Sequence, residues 1–163
     1  MLVVGRLDIG EDAWVELMGD PPDPWNFDGW LGELRPRGPV VAPTRSEMLK
    51  ALRALPDCEC RVSFAGDDLR LDVSGWLRPD EFEDYAADLT DLFVGGYALG
   101  GLGTLWFLSD QTAWGPQEPQ ESYVLWQSDG QVHLAHPSEK RQRKVLGTLT
   151  VRNLLERVGG LLD

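Results

Sequence analysis

Between Cys58 and Val73 the side chains alternate so regularly that the local structure is nearly dictated. Cys58, Cys60, Val62 and Phe64 alternate with Glu59, Arg61 and Ser63, and Leu69, Leu71 and Val73 alternate with Arg70 and Asp72. A period of two belongs to a strand with one face buried. The Ala65-Gly66-Asp67-Asp68 loop joins the two runs as a hairpin. Pairing Phe64 with Leu69 sets Val62 beside Leu71 on the apolar face. The same register puts Arg61 opposite Asp72 on the other face, an attractive cross-strand pair. A slip of one residue would lose both agreements.

The rest of the chain is read around this hairpin. Met1–Leu7 and Ala13–Met18 are expected as two strands joined by a turn at Gly10-Glu11-Asp12. Residues 19–43 form a long loop interrupted by Pro21, Pro22, Pro24, Pro36, Pro39 and Pro43, and loops of that length are usually functional. Thr44 and Glu47 make a capping box ahead of Met48, Leu52 and Leu55, and Pro56 ends that helix. Pro79 suits the first turn of a second helix whose apolar stripe is Phe82, Tyr85, Ala86, Leu89, Leu92 and Phe93. A Gly-rich connection leads to a strand at Thr104–Leu108. Tyr123–Gln127 and Gln131–Ala135 form a further hairpin across Ser128-Asp129-Gly130. Residues 137–144 read as a solvated polar segment, and a last helix carries Val151, Leu154, Leu155 and Val158. The sum is a single α+β domain over 1–163, a mainly antiparallel sheet built from hairpins with about three helices packed on one side.

Charge narrows the function. Fifteen Lys and Arg against 27 Asp and Glu give a net charge of −12. That balance disfavours a phosphate-backbone partner and an anionic membrane surface, so neither nucleic acid nor membrane is expected. The uncharged run 92–109 falls short of a spanning helix and is broken by five glycines. The first ten residues lack a signal-peptide pattern, and two cysteines two residues apart make no disulfide framework; both point to the cytoplasm. A dozen arginines beside three lysines fit a GC-rich, bacterial genome.

No motif marks a reaction. The glycine run 95–103 follows a helix and precedes a strand, the reverse of a phosphate loop, and there is no Gly-x-Ser-x-Gly elbow. Cys58, Cys60, His133 and His136 are of zinc-ligand type. The one-residue spacer is unusual, however, and the two histidines point to opposite faces of a strand. No catalytic residue, cofactor or metal is therefore expected. What stands out is an acidic ridge, Glu81, Asp84, Asp88 and Asp91, at helical spacings of three, four and three. Further acids (Asp8, Glu11, Asp12, Glu16, Asp20, Asp23 and Asp28) have no basic residue among them from Arg6 to Arg35. Of seven tryptophans, Trp106 and Trp126 fall in strand patterns and are expected in the core. Trp25, Trp30 and Trp114, with Phe27, fall in loops, where aromatics serve as interface anchors. The expectation is an acidic protein-binding module that meets a basic partner through Glu81, Asp84, Asp88, Asp91, Trp25, Phe27, Trp30 and Trp114. An immunity protein or inhibitor blocking a basic toxin or nuclease is the concrete form. The alternatives are an accessory subunit of a bacterial assembly, or an enzyme of unfamiliar type.

Overall fold

The computed structural model describes residues 1–22, 44–77, 79–108 and 122–147, including their side chains except those of 79–84 and 146. Along the chain these form β1 (Leu2–Gly10), α1 (Glu11–Gly19), α2 (Arg45–Arg53), β2 (Cys58–Ala65) and β3 (Asp68–Trp76). Then follow α3 (Pro79–Ala98), β4 (Leu102–Leu108), β5 (Tyr123–Ser128), β6 (Gln131–Ala135) and α4 (Glu139–Leu146). The strands make one antiparallel sheet in the order β2-β3-β1-β4-β5-β6. The hairpin register is the one its alternation requires: Phe64 faces Leu69, Val62 faces Leu71 and Arg61 faces Asp72.

Odd-numbered residues of β1, Val3, Leu7 and Ile9, point to one face with Leu71 and Val73 of β3 and Leu105 and Phe107 of β4. Leu17 of α1, Met48, Leu49 and Leu52 of α2, and Leu89, Leu92 and Phe93 of α3 close over them, so three helices cover this face. Thr44 caps α2 as expected, its hydroxyl accepting from the Glu47 backbone N–H at 3.4 Å. The fold is thus the α+β arrangement the alternation implies.

Four local expectations are corrected. Residues 13–18 are helical: apolar pairs Ala13/Leu17 and Trp14/Met18 stand at helical spacing, and Leu17 is buried while Val15 is exposed. Helix α3 does not stop at Gly95 but runs to Ala98. Its glycines answer to packing, because a Cβ on Gly96 would lie 2.5 Å from a Leu7 methyl. The helix ends at Gly100, φ +86°, in a Schellman closure: the Gly101 N–H donates to the Gly96 carbonyl at 2.8 Å and the Gly100 N–H to that of Tyr97 at 3.1 Å. The basic stretch at 140–144 lies in helix α4 rather than a loop, with its four cationic residues exposed. Trp106 and Trp126 lie on the sheet face opposite α1–α3, half-buried. There Trp106 joins Leu2, Val4, Trp76, Leu108 and Val145 in a second small cluster, and Trp126 stacks on His133. The long loop 19–43, beyond its first few residues, and the last helix lie outside the described residues. No helix among the described residues is long and apolar enough to cross a membrane.

Candidate interaction surface

Of the expected acidic ridge on α3, the two members whose side chains are described do not lie on a solvated face. Asp88 and Asp91 are buried, at 6% and 3% exposure. Asp91 receives both a 2.7 Å bond from Arg45 Nε and a 3.2 Å bond from its Nη2, a two-pronged pair with both side chains below a tenth exposed. Its charge therefore holds the start of α2 against α3 and meets no outside partner. The spacing that suggested a ridge is also the spacing of the α3 residues that face inward, which the acidic pattern disguised. The side chains of Glu81 and Asp84 lie outside the described residues, as do Trp25, Phe27, Trp30 and Trp114.

Exposed acid is found elsewhere. Glu11, Asp12 and Glu16 of α1 and Asp67 and Asp68 at the tip of the β2–β3 hairpin are all exposed. Sheet pairing brings these two groups to one end of the molecule, because Gly10, immediately before α1, pairs with Asp68. The cation nearest in register is already engaged: Arg70 donates to Asp8 across the strands at 2.6 and 3.2 Å, and that bond holds its guanidinium still more firmly protonated.

The same end carries exposed apolar groups. Among the described residues the large exposed hydrophobics are Val15 (67%), Phe64 (73%) and Leu102 (61%). Phe64 pairs with Leu69, whose other partner is Ile9; Leu102 pairs with Asp8; Val15 lies about one turn into α1. Phe64 faces the helix side of the sheet but sits past the reach of α2, which is why an apolar position ends in solvent. Sequence reading places Phe64 in the core. Only the sheet order, which sets β3 beside β1, shows that these residues share one end of the sheet, with Leu102 on the opposite face from Phe64.

The sheet face opposite α1–α3 has a different chemistry. Arg6 pairs with Asp72 at 2.8 Å and Arg61 with Glu59 at 2.6 Å, so β1, β2 and β3 present alternating charges. Beside them Arg6, Arg61, Asp72, Ser74, Thr104 and Trp106 border an open concavity of about 470 Å³. Trp106 Nε1 donates to Thr104 Oγ1 at 3.3 Å along its wall. Each guanidinium there has a carboxylate partner, so the concavity holds no uncompensated charge from them.

The four residues of zinc-ligand type do not come together. Cys58 and Cys60 lie on edge strand β2, and His133 lies on the opposite edge strand, β6. Five strand spacings separate those edges, roughly 24 Å. The cysteines point to the helix side, whereas His133 stacks on Trp126 on the other. Comparison with protein-family models, curated proteins and solved structures finds no match to this chain.

Proposed function

We propose that this chain is an acidic protein-binding module, an immunity protein or inhibitor that neutralises a basic toxin or nuclease in the cytoplasm by direct binding. One observation carries the reading: five exposed carboxylates, on Glu11, Asp12, Glu16, Asp67 and Asp68, share one end of the sheet with the exposed Val15, Phe64 and Leu102. Carboxylates of one sign steer a cationic partner and raise its on-rate, and apolar side chains that lose water on contact supply affinity. This end takes the role that the α3 ridge had in the sequence reading. The net charge of −12 supports the same class of partner.

The test begins with co-purification from the native cell and identification of the retained protein by mass spectrometry. A basic partner is expected, bound one-to-one by the purified chain. Glu16→Lys with Asp68→Lys should then lower its on-rate and flatten the dependence on salt, while Phe64→Ala should chiefly speed dissociation. An acidic partner, or an on-rate unchanged by the double reversal at low salt, would reject the proposal.

A further inference from the structure

A sheet of this order has two edge strands, β2 and β6, and an edge strand carries backbone groups that its sheet leaves unpaired. The β2 edge is guarded. Arg53 Nε donates to the Cys60 carbonyl at 2.9 Å, and the Cys58 N–H donates to the Leu55 carbonyl at 3.4 Å. Glu59 and Arg61 add charge along it, and antiparallel pairing of two copies about Val62 would run Asp67 past Asp57. The β6 edge, Gln131–Ala135, has no Lys, Arg, Asp or Glu. The turn from β5 is Asp129 and Gly130, φ 54° and 73°, and it closes on Ser128 and Gln131 as a hydrogen-bonded pair. Alternation then turns the backbone groups of Gln131, His133 and Ala135 toward β5. The N–H and C=O groups of Val132 and Leu134 point outward, with no hydrogen-bond partner among the described residues.

We propose that β6 is a dimerisation edge, where a second copy of this chain adds its own β6 antiparallel and continues the sheet. Centring the two-fold axis on His133 pairs Val132 with Leu134 of the other copy, and Leu134 with Val132. Each contact is returned, as a two-fold interface requires, and every outward N–H and C=O of both strands is used. Moving the axis to Val132 or Leu134 leaves half of those groups without a strand partner. Both faces agree with this register. On the helix side, Val132 and Leu134 are half-buried at the rim of the core and meet their apolar counterparts. On the other side, His133 comes opposite its own copy in a non-hydrogen-bonded pair, where side chains lie closest. Trp126 and His133 already stack at 5.2 Å with 20° between their planes, and the pairing continues that row into the second copy. Charge selects the place of contact: copies that each carry −12 repel, and β6 is the edge whose strand presents no charged side chain. It lies across the sheet from the β2–β3 hairpin, so Asp67 and Asp68 stay open in the dimer.

Sedimentation equilibrium of the full chain, over about 10 to 500 μM, tests the edge. A strand this short makes a small interface, so the dimer should be reversible, with a dissociation constant on the order of 100 μM. Raising salt from about 50 to 300 mM should tighten it, because screening removes repulsion between like-charged copies. Binding of a cationic partner at the acidic end responds to salt with the opposite sign, which keeps the two readings distinguishable. Val132→Pro removes an outward donor and leaves the β5–β6 bonds in place, whereas His133→Glu sets like charges opposite each other. Each should weaken the dimer roughly tenfold or more. Amide exchange of the wild type depends on no variant's folding: Val132 and Leu134 should slow as concentration rises, and Val62 and Phe64 should not. A monomer at the highest concentration and salt, undiminished association of a folded Val132→Pro chain, or slowing at Val62 and Phe64 instead would each overturn the proposal.

Discussion

Removing the carboxylate of Asp91 tests the assignment of that residue to the interior. Arg45 and Asp91 side chains are 8% and 4% exposed, and two hydrogen bonds join them. Asp91→Ala leaves a buried guanidinium without its counter-charge, a change that typically costs about 3–5 kcal/mol. Were Asp91 on a solvated ridge, the same substitution would cost about 0–1 kcal/mol. The two readings therefore differ by more than the error of a denaturation curve. With a urea slope of about 2 kcal/mol per molar, the midpoint should fall by about 2 M. Unchanged slope is part of the expectation, since the unfolded state is not the target. The double variant Arg45→Met, Asp91→Leu removes both charges and fills the space with apolar groups, and should recover most of the loss. Gly95 bears on this recovery, because a Cβ there would already lie 3.2 Å from the Arg45 guanidinium carbon, so the methionine must thread a tight groove. A midpoint for Asp91→Ala within about 0.5 M of wild type would refute the argument. So would a double variant no more stable than the single one.

Other substitutions probe the packing and the turns. Gly96→Ala drives a methyl against Leu7 and should cost about 1–3 kcal/mol, whereas Gly19→Ala meets nothing within 4 Å and should be neutral or mildly stabilising; paired urea curves measure both. Gly130 has φ +73° in the β5–β6 turn, beside Asp129 at φ 54°, so Gly130→Val should cost at least about 1–2 kcal/mol in the same assay. The Tyr97 hydroxyl is buried with no hydrogen-bond partner among the described residues, and burial pushes its ionisation well above the ordinary tyrosine value of 10.0. Its raised folded value means stability is fully present below pH 10 and lost above it, as the unfolded chain ionises first. Tyr97→Phe should leave neutral-pH stability unchanged or higher and remove that alkaline loss; a destabilised variant would reveal a partner for the hydroxyl.

What the sequence discloses depends on how locally each feature is determined. The β2–β3 register follows from two alternating runs and a short loop, and the α2 cap from four consecutive residues. Residues 13–18 carry both an alternation and an i,i+4 pairing, and six residues are too few to separate the periods until Leu17 finds its place among the helices. Helix α4 offers a single apolar side chain described on the second cluster, Val145, so its helical period leaves no stripe to read. The burial of Asp91 depends on Arg45, 46 residues earlier, and no periodicity reports a partner at that distance.

The acidic end of the sheet also separates residues with a local reason to be acidic from those without one. Glu11 and Asp12 occupy the first turn of α1, where negative charge is favoured by the helix dipole, and Asp67 sits in a tight turn beside Gly66 at φ +71°. Their charge is explained without any partner. Glu16 lies past that first turn, and Asp68 opens a strand, where aspartate is disfavoured. Neither gains from its own element, and both are exposed. Reversing Glu16 and Asp68 therefore isolates charge that the fold does not use. Reversing Glu11 and Asp12 would weaken α1 and confuse lost binding with lost structure. If the surface serves a cationic partner, the double reversal at Glu16 and Asp68 must lower the on-rate while the urea midpoint stays within about 0.5 M of wild type. A variant that binds unchanged would show that the fold merely tolerates this charge.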